Sequence, residues 1–360
     1  MIKKACYDKS SKLNVERESN FELLRIFSMS IIVLHHFSIY SGFSNGGENR
    51  AFILILSTCG EIGVNLYVMI TGYYMIEKDT IKISKLLAIW LQMITYSLIL
   101  FFLFVGSGIE EFSVRSFLHS VFPITCSLWW FMSTYLVLYL FIPFINVFLK
   151  SVAKLNYVLF LVLCLSIWSI VPSLLKNSWQ GSNLVWFAFL YSLAAFLKLY
   201  IKDCSFIRWR WPIIVVLVSY MSVIGHDSIT DKYATYLMRE NRILVLGVTV
   251  SLFVIFWKIK KCSIKAVNVV ASCTLGVYLI HEHPWVRNVI WSSIFQGAEF
   301  ENSKCLPLYA VGVAITIYCF CMIVELIRRH CIERLYMKLL RKLDVLLNRL
   351  YYNKLKTIHM

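Results

Sequence analysis

Ten apolar runs, each separated by short polar, basic or aromatic segments, follow one another along the chain. They lie at 24–42, 55–76, 86–106, 124–147, 155–173, 184–201, 211–225, 243–258, 266–283 and 306–327. A helix rises about 1.5 Å per residue, so roughly 17–25 apolar residues match the hydrocarbon core of a bilayer. The runs are continuous rather than alternating, which argues against a β-barrel. The pattern predicts an all-α, polytopic integral membrane protein with about ten transmembrane helices. The seventh and eighth runs are short.

Basic residues test this map. With the N-terminus placed in the cytoplasm, 28 of the 36 Lys and Arg residues fall on the cytoplasmic side. Such asymmetry is the usual mark of cytoplasmic loops, and it supports ten spans with both termini inside. Composition agrees: the 360 residues are 59% hydrophobic and 16% charged, where a soluble chain carries about 25% charged residues. The net charge of +16 would suggest nucleic acid in a soluble protein. Here flanking of spans and contact with membrane lipids explain it, and no nucleic acid partner is expected.

Residues 1–20 are polar and lack an apolar core or small-residue cleavage site, so the first span is expected to start insertion itself. This gives a cytoplasmic N-terminal tail (1–20), a ten-helix membrane domain (21–327) and a basic tail (328–360). Within that tail, apolar residues recur at helical spacing among basic ones. Both an amphipathic helix on the inner leaflet and an extension of the last span fit it. Eleven cysteines show no CxxC pair and no zinc spacing, so neither a disulfide nor a metal site is expected.

Chemistry enters at LLRIFSMSIIVLHHF (23–37), which is apolar but holds Arg25, His35 and His36. Ionisable groups in a span are costly and usually functional. Arg25 and His36 are eleven residues apart. That is about 16 Å of rise and three turns plus about 20°, so the two share one helix face while His35 points elsewhere. Arg25 alone also suits a topology anchor, and a lone His suits a packing residue. Together they outline a polar stripe with a cation at the inner end and an imidazole farther out.

Several segments carry a resemblance. NFELLRIFSMSIIVLHHF (20–37), with an Arg, ten residues and a His, resembles the first span of the membrane acyltransferase-3 family. GEIGVNLYVMITGYYM (60–75) is similar to its second-span stretch, with Thr71-Gly72-Tyr73 in the Ser/Thr-Gly-Phe/Tyr place. LWWFMSTYLVLYLFIPFIN (128–146) resembles its Trp-Phe-Leu segment, and LGVYLIHEHP (275–284) its Tyr-Leu-x-His motif. The resemblance spans about 18–327 and is closest to members that O-acetylate bacterial surface or capsular polysaccharide. It implies a multi-pass protein of a bacterial plasma membrane, acetyl-CoA as cytoplasmic donor, and a glycan hydroxyl as acceptor. His36 would be the general base, with an acetyl-histidine step as a variant. Arg25, Lys82 and Lys85 would serve the CoA phosphates. The two lysines depart from the arginines usual in the family there, and they also suit plain flanking of a span. Asn65, Thr71 and Tyr73 are candidate oxyanion donors. Glu61 and His281 are candidate helpers, each with a structural alternative.

Trp129 and Trp130 fit aromatic-belt anchors, though a sugar-stacking role would look the same, and Arg239, Glu240 and Arg242 lie in an outer loop where they could meet an anionic glycan or pair with each other. Ser28, Ser30 and Ser133 lack triad context. A transporter or flippase for a lipid-linked glycan or small solute is the competing reading, since the same charges could line a path. A polymerase would call for a large outer loop, and the longest outer loop here is 284–305. No second soluble domain is apparent, so transfer would be direct or through a separate partner. The even span count has a direct check. A phosphatase active only outside the cytoplasm should work when fused after residue 111 and be silent when fused after Met360. Activity at the second position would overturn the ten-span map.

Overall fold

The computed structural model describes residues 18–44, 47–78, 80–175, 183–201, 203–230, 239–344 and 346. Most of the expected N-terminal tail (1–17) and the last residues of the basic tail (347–360) lie outside them. The described residues hold helices and no strand. In chain order these are α1 (Ser19–Tyr40), α2 (Arg50–Met75), α3 (Ile83–Gly106), the short α4 (Val114–Val121), α5 (Trp130–Ser151) and α6 (Lys154–Leu165). A π-helical turn joins α6 to α7 (Val171–Leu175). Then come α8 (Asn183–Tyr200), α9 (Arg210–Thr230), α10 (Ile243–Lys258), α11 (Lys265–Ser272), α12 (Thr274–His281), α13 (Pro284–Asn288) and α14 (Leu306–Arg328).

Eight helices among the described residues are long and apolar enough to cross a membrane, and α10 and the joined α11–α12 are shorter apolar helices. These ten correspond one to one with the ten apolar runs. The fourth differs at its start. Residues 124–129 are apolar but form turns, and the helix begins only at Trp130. Pro123 precedes them and Ser127 adopts φ 51, a left-handed conformation that a helix cannot contain. The seventh runs on to Thr230, five residues past its apolar stretch.

Hydrogen bonds at the two ends fix the up-and-down course. At the end holding the start of α1, the Ser19 N–H donates to the Cys262 carbonyl, and Asn146 Nδ2 donates to the carbonyls of Met75 and Lys78. At the far end, Arg50 pairs with Asp227 at 2.7 Å, and Asn49 donates to the carbonyls of Glu301 and Ser303. Backbone groups of these connections thus find partners without relying on water.

Helix α2 is the central post, with 83% of its apolar window buried, against 17% for α9. Lipid tails are as apolar as leucine, so helices associate by close packing rather than by hydrophobic force. The α1–α2 contact shows this. A Cβ at Gly60 would run into the His35 ring, and one at Gly63 would fall 2.8 Å from the Ser28 carbonyl oxygen. Exposed apolar side chains such as Phe144, Leu155 and Met221 form the lipid-facing surface.

Beyond α14 the chain stays helical through a π segment (Arg329–Glu333) to Asp344. Asp344 accepts from Ser84 Oγ at 2.5 Å and from the Ser84 N–H at 3.3 Å, tying this extension to the start of α3. It is therefore a continuation of the last span over the described residues.

Replacing Gly63 by Leu should lower stability by about 1–3 kcal/mol through overpacking, seen as an earlier thermal transition in detergent. Gly312→Leu is the control, because nothing lies within 4 Å of a Cβ there. An unchanged transition for Gly63→Leu would contradict the close-packed seam.

Candidate active site

The polar stripe on α1 leads into a cavity. Arg25, Met29 and Ile32, spaced one helical turn apart, line a space of about 400 Å³. Arg25, Arg329 and Glu333 stand at its basic end. Tyr67, Thr71, Tyr135 and Gln92 line its middle, and Ile32, Phe131 and Tyr278 its inner wall. His36 is one turn beyond Ile32, and His281 one turn beyond Tyr278. The Tyr278 hydroxyl is buried beside the Phe131 backbone. His35 leaves the stripe, its Nδ1 lying 2.9 Å from the Ser57 carbonyl on α2.

The histidines fix each other's proton positions. His281 Nδ1 is 2.6 Å from the Val277 carbonyl. A carbonyl only accepts, so Nδ1 carries the proton, and in the neutral ring Nε2 keeps its lone pair. That Nε2 lies 2.8 Å from His36 Nδ1. His36 Nδ1 must then be the donor, which leaves His36 Nε2 as an unprotonated base. The same Nδ1 is 3.2 Å from Glu282 Oε2. Arg287 braces that carboxylate through Oε1 at 3.1 Å, and the Tyr40 hydroxyl donates to the same oxygen at 3.3 Å. A proton taken by Nε2 would thus meet a carboxylate across the ring.

Ligand atoms of His36, His281 and Glu282 lie within 4.8 Å of one another, close enough to hold a metal ion. The 2.8 Å separation of the two ring nitrogens, however, is a hydrogen bond. Two nitrogens bound to one tetrahedral zinc would stand roughly 3.3 Å apart. The arrangement suits a proton relay.

The family model described as an acyltransferase domain matches residues 18–326, most of the chain. The chain belongs to the acyltransferase-3 family. No curated protein and no solved structure matches it.

In this acyltransferase, the structure brings together His36, His281 and Arg25's stripe, with Thr71 on the cavity wall. Thr71 Oγ1 donates to the Tyr67 carbonyl and lies 3.0 Å from the Tyr135 hydroxyl. The other expected residues sit elsewhere. Asn65 is engaged on both sides of its amide, donating to the Glu240 carbonyl and accepting from Trp186 Nε1. Tyr73 packs against Phe21, Phe253 and Trp257 toward the basic end. Glu61 has Arg239 and Glu240, not His36, as its charged neighbours. Lys82 and Lys85 are exposed at the start of α3 and do not line the cavity.

One expectation about an aromatic residue is corrected. Trp129 is buried at 1% exposure, edge-on to His283, rather than in an interfacial belt. Arg242 is buried at 2% exposure, because the segment leading into the short α10 folds into the bundle. Asn241 Nδ2 there reaches the Trp168 carbonyl in the π turn after α6.

Sequence reasoning did not find the brace on Glu282, because Arg287 and Tyr40 look like ordinary boundary residues. The signal was the run His281-Glu282-His283-Pro284-x-x-Arg287, in which Pro284 starts a new turn that swings Arg287 back. Arg329 at the cavity mouth was also missed, as one basic residue among many.

Replacing His281 by Phe keeps the ring but removes the acceptor that orients His36. Acyl transfer should fall by roughly tenfold or more at equal membrane abundance. His281→Gln, which can still accept through its carbonyl, should recover part of it. Full activity of the Phe variant would show that the relay does not matter.

Proposed function

We propose that this membrane acyltransferase moves an acetyl group from cytoplasmic acetyl-CoA to a hydroxyl of a glycan, within the plasma membrane of a bacterium. The acceptor is a surface or capsular polysaccharide or its precursor. The observation that carries this reading is the cavity running from Arg25 to within one turn of His36. Its shape and lining suit a donor of this kind. Arg25, paired with Glu22 at 2.7 Å, and Arg329 stand at one end, through which an anionic donor would enter, and Ile32, Phe131 and Tyr278 line the end toward His36. Tyr278 offers a buried hydroxyl at that end.

His36 does the proton work. Its Nε2 takes the proton from the attacking hydroxyl as the new carbon–oxygen bond forms. It returns that proton to the sulfur as the carbon–sulfur bond breaks, so a thiol leaves and the ring is neutral again. Glu282 balances the imidazolium between these moments, held by Arg287 and Tyr40. His281 keeps the ring in the tautomer that exposes Nε2.

The test is the O-acetyl signal of surface polysaccharide by proton NMR, in cells lacking the protein and cells carrying wild type or variants at equal abundance. Wild type and His35→Ala should restore it. His36→Ala should reduce transfer by roughly 10²–10⁴. Full restoration by His36→Ala would overturn the site. Acetylation independent of the protein would overturn the acetyl assignment.

A further inference from the structure

A second cavity opens beside the first. It is a groove of about 580 Å³ on the helical extension beyond α14. His330, Arg334, Lys338 and Arg341 line it, and the last three are exposed at spacings of four and three residues. Those spacings put them on one helix face. Glu333 is the acid in the lining, and it is already taken by Arg328 at 2.6 Å and Arg329 at 3.7 Å. The groove is therefore a cluster of cations without a matching set of carboxylates.

Arg329 and Glu333 line both this groove and the cavity that leads to His36. The two spaces meet at the π segment Arg329–Glu333. That junction is fixed in place. Buried Arg328 forks onto both oxygens of Glu325 at 2.8 and 2.9 Å and bonds the Tyr336 hydroxyl at 2.8 Å. Arg329 Nη1 reaches Ser272 Oγ on α11. Val269, Leu326 and Met337 give the groove an apolar side.

We propose that this groove binds the nucleotide phosphates of the acyl donor, with Arg334, Lys338 and Arg341 as phosphate ligands and Met337 beneath the base. Phosphates are matched by clustered guanidinium and ammonium groups. A donor held there would have its arm directed past Arg329 into the cavity on the His36 side. The inference rests on the CoA donor proposed above, and it replaces Lys82 and Lys85, which lie off the cavity, as the phosphate site. The same chemistry would also attract anionic lipid headgroups, so the test separates the two sources.

The full-length protein would be placed in zwitterionic nanodiscs, and its affinity measured for acetyl-CoA and for acetyl-pantetheine, which lacks the nucleotide. The Arg334→Glu/Lys338→Glu variant should weaken acetyl-CoA binding by roughly tenfold or more and leave acetyl-pantetheine binding unchanged, which also reports folding. Arg341→Gln, a milder change, should weaken acetyl-CoA binding in the same direction if the double variant does not fold. Wild type that binds acetyl-CoA while neither variant changes its affinity would overturn this groove and leave the donor reading intact. Wild type that binds no acetyl-CoA would overturn both. Variants that alter only the binding of anionic vesicles would assign the groove to lipid headgroups and overturn the nucleotide site.

Discussion

The hydrogen bond from His281 Nδ1 to the Val277 carbonyl, 2.6 Å long, determines what the rest of the site can do. It lies within one helical turn, so it is set as soon as α12 forms. It decides that His281 accepts at Nε2. That decides that His36 donates at Nδ1, and so leaves a lone pair on His36 Nε2. Each step follows from the fact that a carbonyl cannot donate and a neutral imidazole has one N–H. That bare nitrogen is thus set by the packing of two helices, α1 and α12, rather than by any single residue.

Polar groups deep in a bundle need partners, and this chain gathers several of them around two carboxylates. Glu282 is shared by His36, Arg287 and Tyr40. Glu325 is shared by Arg328, Tyr96 and Gln92. Glycines make room for buried polar side chains: a Cβ at Gly276 would collide with the Glu325 side chain, and one at Gly60 with the ring of His35. The second collision explains why His35 and His36, adjacent in sequence, have different fates. Gly60 draws His35 against α2, and the helical step then turns His36 toward α12.

Much of the architecture was legible in the sequence because hydropathy and basic flanks are local signals. All ten apolar runs became helices, and Arg25 lines the cavity whose α1 wall runs through Met29 and Ile32 toward His36. The fourth span began late because the apolar stretch 124–129 gives no hydropathy signal of the turn that Ser127 makes. The lysines at 82 and 85 and the arginine at 329 look alike as basic residues near span ends. Only the packing of the helical extension against α11 decides which of them reaches the cavity. The brace of Arg287 and Tyr40 on Glu282 joins residues 40, 282 and 287, a contact between helix ends that no periodicity encodes. Asn65 and Glu61 were placed near His36 by their span alone, whereas their faces of α2 turn toward the segment before α10.

The tautomer of His36 is accessible to nitrogen NMR. The full-length protein, labelled with ¹⁵N in its histidine rings and reconstituted in bilayers, would be compared with His36→Asn to assign the His36 signals. His36 should show a neutral ring with the proton on Nδ1, coupled across a hydrogen bond to His281 Nε2, and a bare Nε2. A neutral ring with its proton on Nε2 would contradict it, because the lone pair would then face His281 rather than a substrate.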